Sequence, residues 1–159
     1  MSASSLSCWL IGADSLLEEC GDILLRGGHD VRGVVTASER LGAWARARRL
    51  AVLDPKGDYG AELAARPFDH LFAITHLERL PERILALPAR SAINFHDGPL
   101  PEYAGLNVPA WAIIQGETRH GITWHVMTSA IDGGSILKQR FFDLAPDETS
   151  FSLRTTGAM

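Results

Sequence analysis

Three residues in the second half of the chain have the types and spacing to hold a developing negative charge and move a proton. Asn94 and His96 flank Phe95 at the end of an apolar run over residues 89–95 that reads as a strand. Side chains two apart on a strand share a face, so an amide donor and an imidazole point the same way. That pair suits stabilisation of an oxyanion and general acid–base work. The C-terminal end of a strand is also where open α/β sheets place their ligands. A loop rich in Gly and Pro follows (Asp97-Gly98-Pro99-Leu100-Pro101), stiff enough to preserve geometry. Asp132 lies in a second turn, and Gly133 and Gly134 beside it let a substrate approach the backbone. A carboxylate beside the imidazole would raise the histidine pKa and relay a proton.

The elements that position these residues follow from periodicity. Residues 8–12 read as a buried strand ending at a glycine turn. Asp14 or Ser15 caps a helix bearing Leu16, Leu17, Ile23, Leu24 and Leu25, stopped by Gly27-Gly28. Strands are predicted over 29–36, 50–53, 69–74 and 89–95, with helices over 39–49, 61–66, 80–87 and from Asn107 or Val108 to Ile114. Residues 121–127 and 135–144 form a hairpin-like pair about Asp132-Gly133-Gly134. Strands alternating with helices imply an α/β domain with a doubly wound, mainly parallel sheet. The expected organisation is one domain over 1–150 and a short tail over 151–159. Asp147-Glu148-Thr149-Ser150 would cap a helix, but poor helix formers follow, so the usual C-terminal helix is expected to be absent.

Composition narrows the classes. The chain has 159 residues, a net charge of −4 and 46% hydrophobic residues, with a mean hydropathy of +0.03. That is globular composition, and an acidic balance disfavours a nucleic-acid partner. No apolar run approaches the roughly 18 residues needed to span a bilayer, and no basic leader precedes one, so no membrane partner and a cytoplasmic location are expected. The first turn, Gly12-Ala13-Asp14-Ser15, has one glycine where a dinucleotide fingerprint wants three, and Asp14 would repel a pyrophosphate. No phosphate-cradling G-x-x-x-x-G-K run occurs either.

The run N-F-H-D-G-P-L-P-E-Y-A-G, followed by W-A-I-I-Q-G-E, H-G-I-T-W-H-V-M and I-D-G-G-S-I-L, resembles the folate-dependent formyltransferase family. That family carries an Asn-x-His, a Leu-Pro loop and an Asp at the interval that separates His96 from Asp132 here. The resemblance is strongest over 68–149. It implies a Rossmann-like formyltransferase domain that passes a formyl group from 10-formyltetrahydrofolate to a primary amine through a tetrahedral oxyanion, without metal. Asn94 would hold the oxyanion, and His96 would stabilise or protonate it. Asp132 would tune His96 and accept the amine proton, directly or through water. Folate would be held by the loop after the fourth strand (Ala73, Ile74, Thr75, His76, Leu77 and Leu80) and by the turn before the aspartate (Thr128, Ser129, Ala130 and Ile131), mainly through backbone groups.

The loop departs from the family's usual Ser-Leu-Leu-Pro and is closest in appearance to formylation domains of nonribosomal peptide and mixed assembly lines. The implied acceptor is an aminoacyl unit or small natural-product amine, including one bound to a carrier protein. Asp97 and Glu102 stand where tRNA formyltransferases carry basic residues. A sugar-nucleotide N-formyltransferase and a truncated folate-binding module are the alternatives. Of the remaining residues, His120 and His125 lie five apart on one strand and read as surface or core histidines, although one could approach the acceptor. His76 reads equally as a folate contact or an exposed loop residue. Trp111 and Trp124 read as core, and Cys8 and Cys20 as buried thiols. The run Arg40, Arg46, Arg48, Arg49 reads as a solvated helix face.

Overall fold

The computed structural model describes residues 5–153. The element order is β1 (Ser7–Gly12), α1 (Ser15–Arg26), β2 (Asp30–Val35), α2 (Glu39–Ala47), β3 (Ala51–Leu53), α3 (Tyr59–Ala64), β4 (His70–Ile74), α4 (Glu82–Leu85), β5 (Ser91–His96), α5 (Val108–Ile114), β6 (Arg119–Val126) and β7 (Ile136–Asp143). The strands form one seven-stranded sheet in the order β3-β2-β1-β4-β5-β6-β7. It is the doubly wound α/β sheet that alternating periodicities imply. The chain divides into two compact units, Met1–Ile93 and Asn94–Met159.

In the first unit, β1 pairs in parallel with β2 and β4, and β2 pairs in parallel with β3. A strand with parallel neighbours on both sides is covered on both faces and needs an unbroken apolar run. Cys-Trp-Leu-Ile supplies it: Cys8, Leu10 and Ile11 are buried. Gly12 ends the strand at a close approach, since a Cβ there would lie 2.0 Å from the Ile74 carbonyl oxygen. The Asp14 carboxylate then accepts from the Ser15 N–H at the start of α1. Arg40 pairs with Glu18 and Arg46 with Glu39. Arg48 reaches Asp22 at 2.8 Å and lies over the Trp44 ring at 4.9 Å. Three of the four arginines of the run, Arg40, Arg46 and Arg48, are thus ion-paired on α2 and its C-terminal cap. Burial pushes the Cys8 thiol up to about 12 and Cys20 up to about 11, so both stay protonated.

In the second unit, β6 and β7 are antiparallel, with a register shift between Trp124 and His125. β7 is mostly exposed and carries Lys138 and Arg140, charges of the kind that blunt an edge strand. The α5 sequence, VPAWAII, has no polar face. Val108, Pro109 and Ala112 are buried, whereas Trp111 is 53% exposed, which corrects its expected place in the core. Residues 150–153 are helical, following the cap that Asp147-Glu148-Thr149-Ser150 predicts. Thr149 caps the N-terminus of this turn, its Oγ1 accepting from the Ser152 N–H at 3.1 Å. The rest of the 151–159 segment lies outside the described residues. Among the described residues no helix is long and apolar enough to cross a membrane.

Candidate active site

β5 ends in Asn94-Phe95-His96, and the alternation of the strand presents Asn94 and His96 together. His96 is buried. Its Nδ1 lies 3.7 Å from the Asp132 carboxylate, and its Nε2 lies 2.5 Å from the Tyr103 carbonyl oxygen. A carbonyl only accepts, so Nε2 carries the proton and Nδ1 is the nitrogen turned to the carboxylate. The structure thus brings all three predicted residues into one cluster.

A fourth member was not expected. His125 on β6 is buried; its Nε2 lies 3.6 Å from Asp132 and 3.1 Å from the Asn94 amide nitrogen. Its Nδ1 donates to the Val126 carbonyl at 3.0 Å. Nε2 is therefore the accepting nitrogen of a neutral ring, and Asn94 donates to it. Burial lowers the pKa of His125, against the opposing pull of Asp132, which keeps the ring neutral. One hydrogen of the Asn94 amide is spent on this bond; the other is left to donate elsewhere. The structure thus corrects the reading of His125 as a surface or core histidine. His120 is buried outside the cluster. Its Nε2 meets the Asp97 carbonyl at 3.3 Å, and burial lowers its pKa.

Asp132 is held by its backbone as well as its partners. It has φ +50°, a left-handed conformation that Asp tolerates better than most residues. Its second carboxylate oxygen accepts from the Gly105 N–H at 2.8 Å. Gly134 completes the turn, because a Cβ there would sit 1.7 Å from the Val126 carbonyl oxygen.

The proline-rich loop between β5 and α5, with its cis Leu100–Pro101 peptide, is fastened by two residues that sequence reasoning missed. Thr123 is fully buried. Its hydroxyl accepts from the Leu100 N–H at 3.1 Å and donates to the Gly98 carbonyl at 2.7 Å. The Gln139 amide donates to the Leu100 carbonyl at 2.7 Å and to Thr123 Oγ1 at 3.0 Å. Farther along the loop, the Tyr103 hydroxyl donates to Glu117 at 2.7 Å. That bond, first among the causes, pushes the phenol up to about 12.

The residues assigned to folate fall in both units. Ala73 and Ile74 end β4 and are buried; Thr75 and His76 are half-buried, Leu77 is exposed and Leu80 is buried. Thr75 has φ +51°, an outlier for a β-branched residue. His76 is not the exposed loop histidine of one reading: its Nε2 is buried without a hydrogen-bond partner, and burial lowers its pKa. Thr128, Ser129, Ala130 and Ile131 form the exposed turn before Asp132. Among the described residues no His, Cys, Asp and Glu grouping could hold a metal ion.

A family model described as formyl transferase matches residues 56–158, the segment that contains the whole cluster. The chain belongs to the formyl transferase family. This family member is 34% identical over 148 residues to the methionyl-tRNA formyltransferase of Anaeromyxobacter dehalogenans (strain 2CP-C), a match covering 83% of the chain and 47% of that relative. It is 35% identical over 85 residues to the GDP-perosamine N-formyltransferase of Brucella melitensis biotype 1, covering 54% of the chain and 33% of the relative. Its fold matches glycinamide ribonucleotide transformylase 1 from Symbiobacterium toebii with a TM-score of 0.84 at 22% identity, over 97% of this chain and 81% of that one. The chain spans about half the length of the methionyl-tRNA formyltransferases it matches. The relatives' names include a tRNA acceptor as well as a sugar nucleotide, so relatedness gives no support to the expectation that nucleic acid plays no part.

Proposed function

We propose that the chain transfers a formyl group from 10-formyltetrahydrofolate to a primary amine carried by an aminoacyl unit or a small natural-product precursor. The convergence of Asn94, His96 and Asp132, with His125 orienting the asparagine, carries this reading. When bound, the co-substrate supplies an activated formyl carbonyl. Asn94 has one amide hydrogen left to donate to the carbonyl oxygen as negative charge builds on it, and His96 adds a second polar group on the same face. Asp132 takes the proton that the amine sheds as its nitrogen bonds to the formyl carbon. A proton returns to the departing folate nitrogen through the His96–Asp132 pair, so the proton balance closes without an outside acid. The folate assignment of 73–80 and 128–131 belongs to this proposal.

Asp97 and Glu102 beside the loop favour an acceptor without a phosphate backbone. The similarity to GDP-perosamine N-formyltransferase supports a sugar-nucleotide amine as the second reading. The test follows tetrahydrofolate release from 10-formyltetrahydrofolate with and without amine acceptors, a sugar-nucleotide amine among them. Amine-dependent release that falls roughly 100–1000-fold in Asn94→Ala, the typical loss of one oxyanion donor, is expected. Amine-independent release would instead mean hydrolysis. Saturable folate binding without release would mean a binding module, and absence of binding would refute the proposal.

A further inference from the structure

Tyr103 joins the catalytic cluster to a second feature. Its carbonyl receives His96, and its side chain lines an open cleft of about 450 Å³ together with Glu102, Leu106, Trp111, Gln115 and Glu117. Three observations give this cleft a chemical character. Trp111 and Leu106 are 53% and 64% exposed, and a large aromatic left in water beside a catalytic group is a ready ligand platform. Glu102 and Glu117 both line the cleft; Glu117 accepts the Tyr103 hydroxyl, and neither carboxylate makes an ion pair among the described residues, although carboxylates of the first unit find arginines (Glu18, Asp22, Asp69). No Lys, Arg or His lines the cleft, so nothing in it would hold a phosphate.

We propose that this cleft is the acceptor subsite, and that it selects an amine whose body carries a second cationic group, held between the two carboxylates and against the Trp111 ring. The proposal rests on the amine-transfer reading and narrows its acceptor to diamines of the diamino-acid kind. The indole face attracts an ammonium group, the two carboxylates add charge complementarity, and both repel a phosphorylated acceptor. Tyr103 sets the interval between subsite and reaction centre, since its two ends serve both. Each charge contact at an exposed site is worth a factor of about two to five, and the aromatic contact about the same.

The test compares ornithine amide with norvaline amide, which has the same carbon skeleton and lacks the second ammonium group, and with O-phosphoserine amide. Tetrahydrofolate release gives kcat/KM for each, and calorimetry gives binding without folate. Wild type is expected to prefer ornithine amide over norvaline amide by at least tenfold and to reject the phosphorylated amine. The double variant Glu102→Gln/Glu117→Gln keeps an oxygen acceptor for the Tyr103 hydroxyl and should cut the preference about tenfold. Trp111→Ala should cut it about threefold, and raising the ionic strength should weaken it in wild type only. Release with equal rates for ornithine and norvaline amides, or a preference unchanged in the double variant, overturns the subsite while leaving formyl transfer intact. Carboxylate-dependent ornithine amide binding without any release upholds the subsite and overturns the folate reading. Absence of both overturns the two together.

Discussion

Replacing Thr123 by Val tests whether its hydroxyl holds the proline-rich loop beside the Asn94–His96–Asp132 cluster. Thr123 is fully buried and serves three partners: the Leu100 N–H, the Gly98 carbonyl and the Gln139 amide. Valine keeps the shape and removes the oxygen. Gln139 retains the Leu100 carbonyl, so its loss is small. The Leu100 N–H is left buried without a partner, which costs about 1–3 kcal/mol, and the Gly98 carbonyl loses a bond worth about 1 kcal/mol. The sum is a destabilisation of about 2–4 kcal/mol. Thr123→Ser keeps every hydrogen bond and deletes one methyl, at a cost of about 1 kcal/mol. Urea unfolding followed by tryptophan fluorescence measures both, with unchanged slopes as the check that only stability moved. The Val variant should lie at least about 1 kcal/mol below the Ser variant. If Val is as stable as Ser, the hydroxyl is not holding the loop.

Other perturbations reach the remaining parts of the site. Gly134→Ala drives a Cβ to 1.7 Å from the Val126 carbonyl oxygen, so the Asp132 turn must move; a stability loss of about 2 kcal/mol or more with loss of formyl transfer is expected in melts and initial rates. Protonating His125 puts two donors face to face and releases Asn94, so kcat should fall on the acid side. In His125→Gln, which keeps an acceptor but does not titrate, that part of the acid limb should vanish from the pH profile. Stability itself should depend on acid. Burial lowers the pKa values of His76, His120 and His125 in the folded chain, so the unfolded chain takes up protons first as pH falls. Stability is then full above about 6.5 and declines below it, by no more than about 1.4 kcal/mol per pH unit for each ring. Urea midpoints at pH 7 and pH 5.5 measure the decline, and His120→Asn should make it shallower.

The elements were legible because each carries one dominant period. β1, predicted at 8–12, occupies Ser7–Gly12, and the helix between Asp14 and Gly27 runs over Ser15–Arg26. Asn94, His96 and Asp132 were legible because two share a strand face and the third sits in a glycine turn. His125 was not, since a histidine in an apolar strand has the same sequence appearance whether it fills the core or orients an amide. Thr123 and Gln139 are ordinary strand residues whose importance comes only from which loop lies over them. Trp111 was misjudged because α5 has no polar positions to say which side faces water; tertiary packing alone decides that.

The His96 ring is steadied on one side by a main-chain oxygen rather than a side chain. No substitution of Tyr103 can delete that oxygen, so alanine scanning of the loop would report this anchor as silent. A substitution there forfeits the hydroxyl bond to Glu117, yet the peptide group stays whatever side chain the position bears. The heritable control over the imidazole is displaced onto Thr123 and Gln139, which never touch it. A mutational map would then report this contact only through β6 and β7, and whatever it registered at position 103 would belong to the side chain and not to the carbonyl.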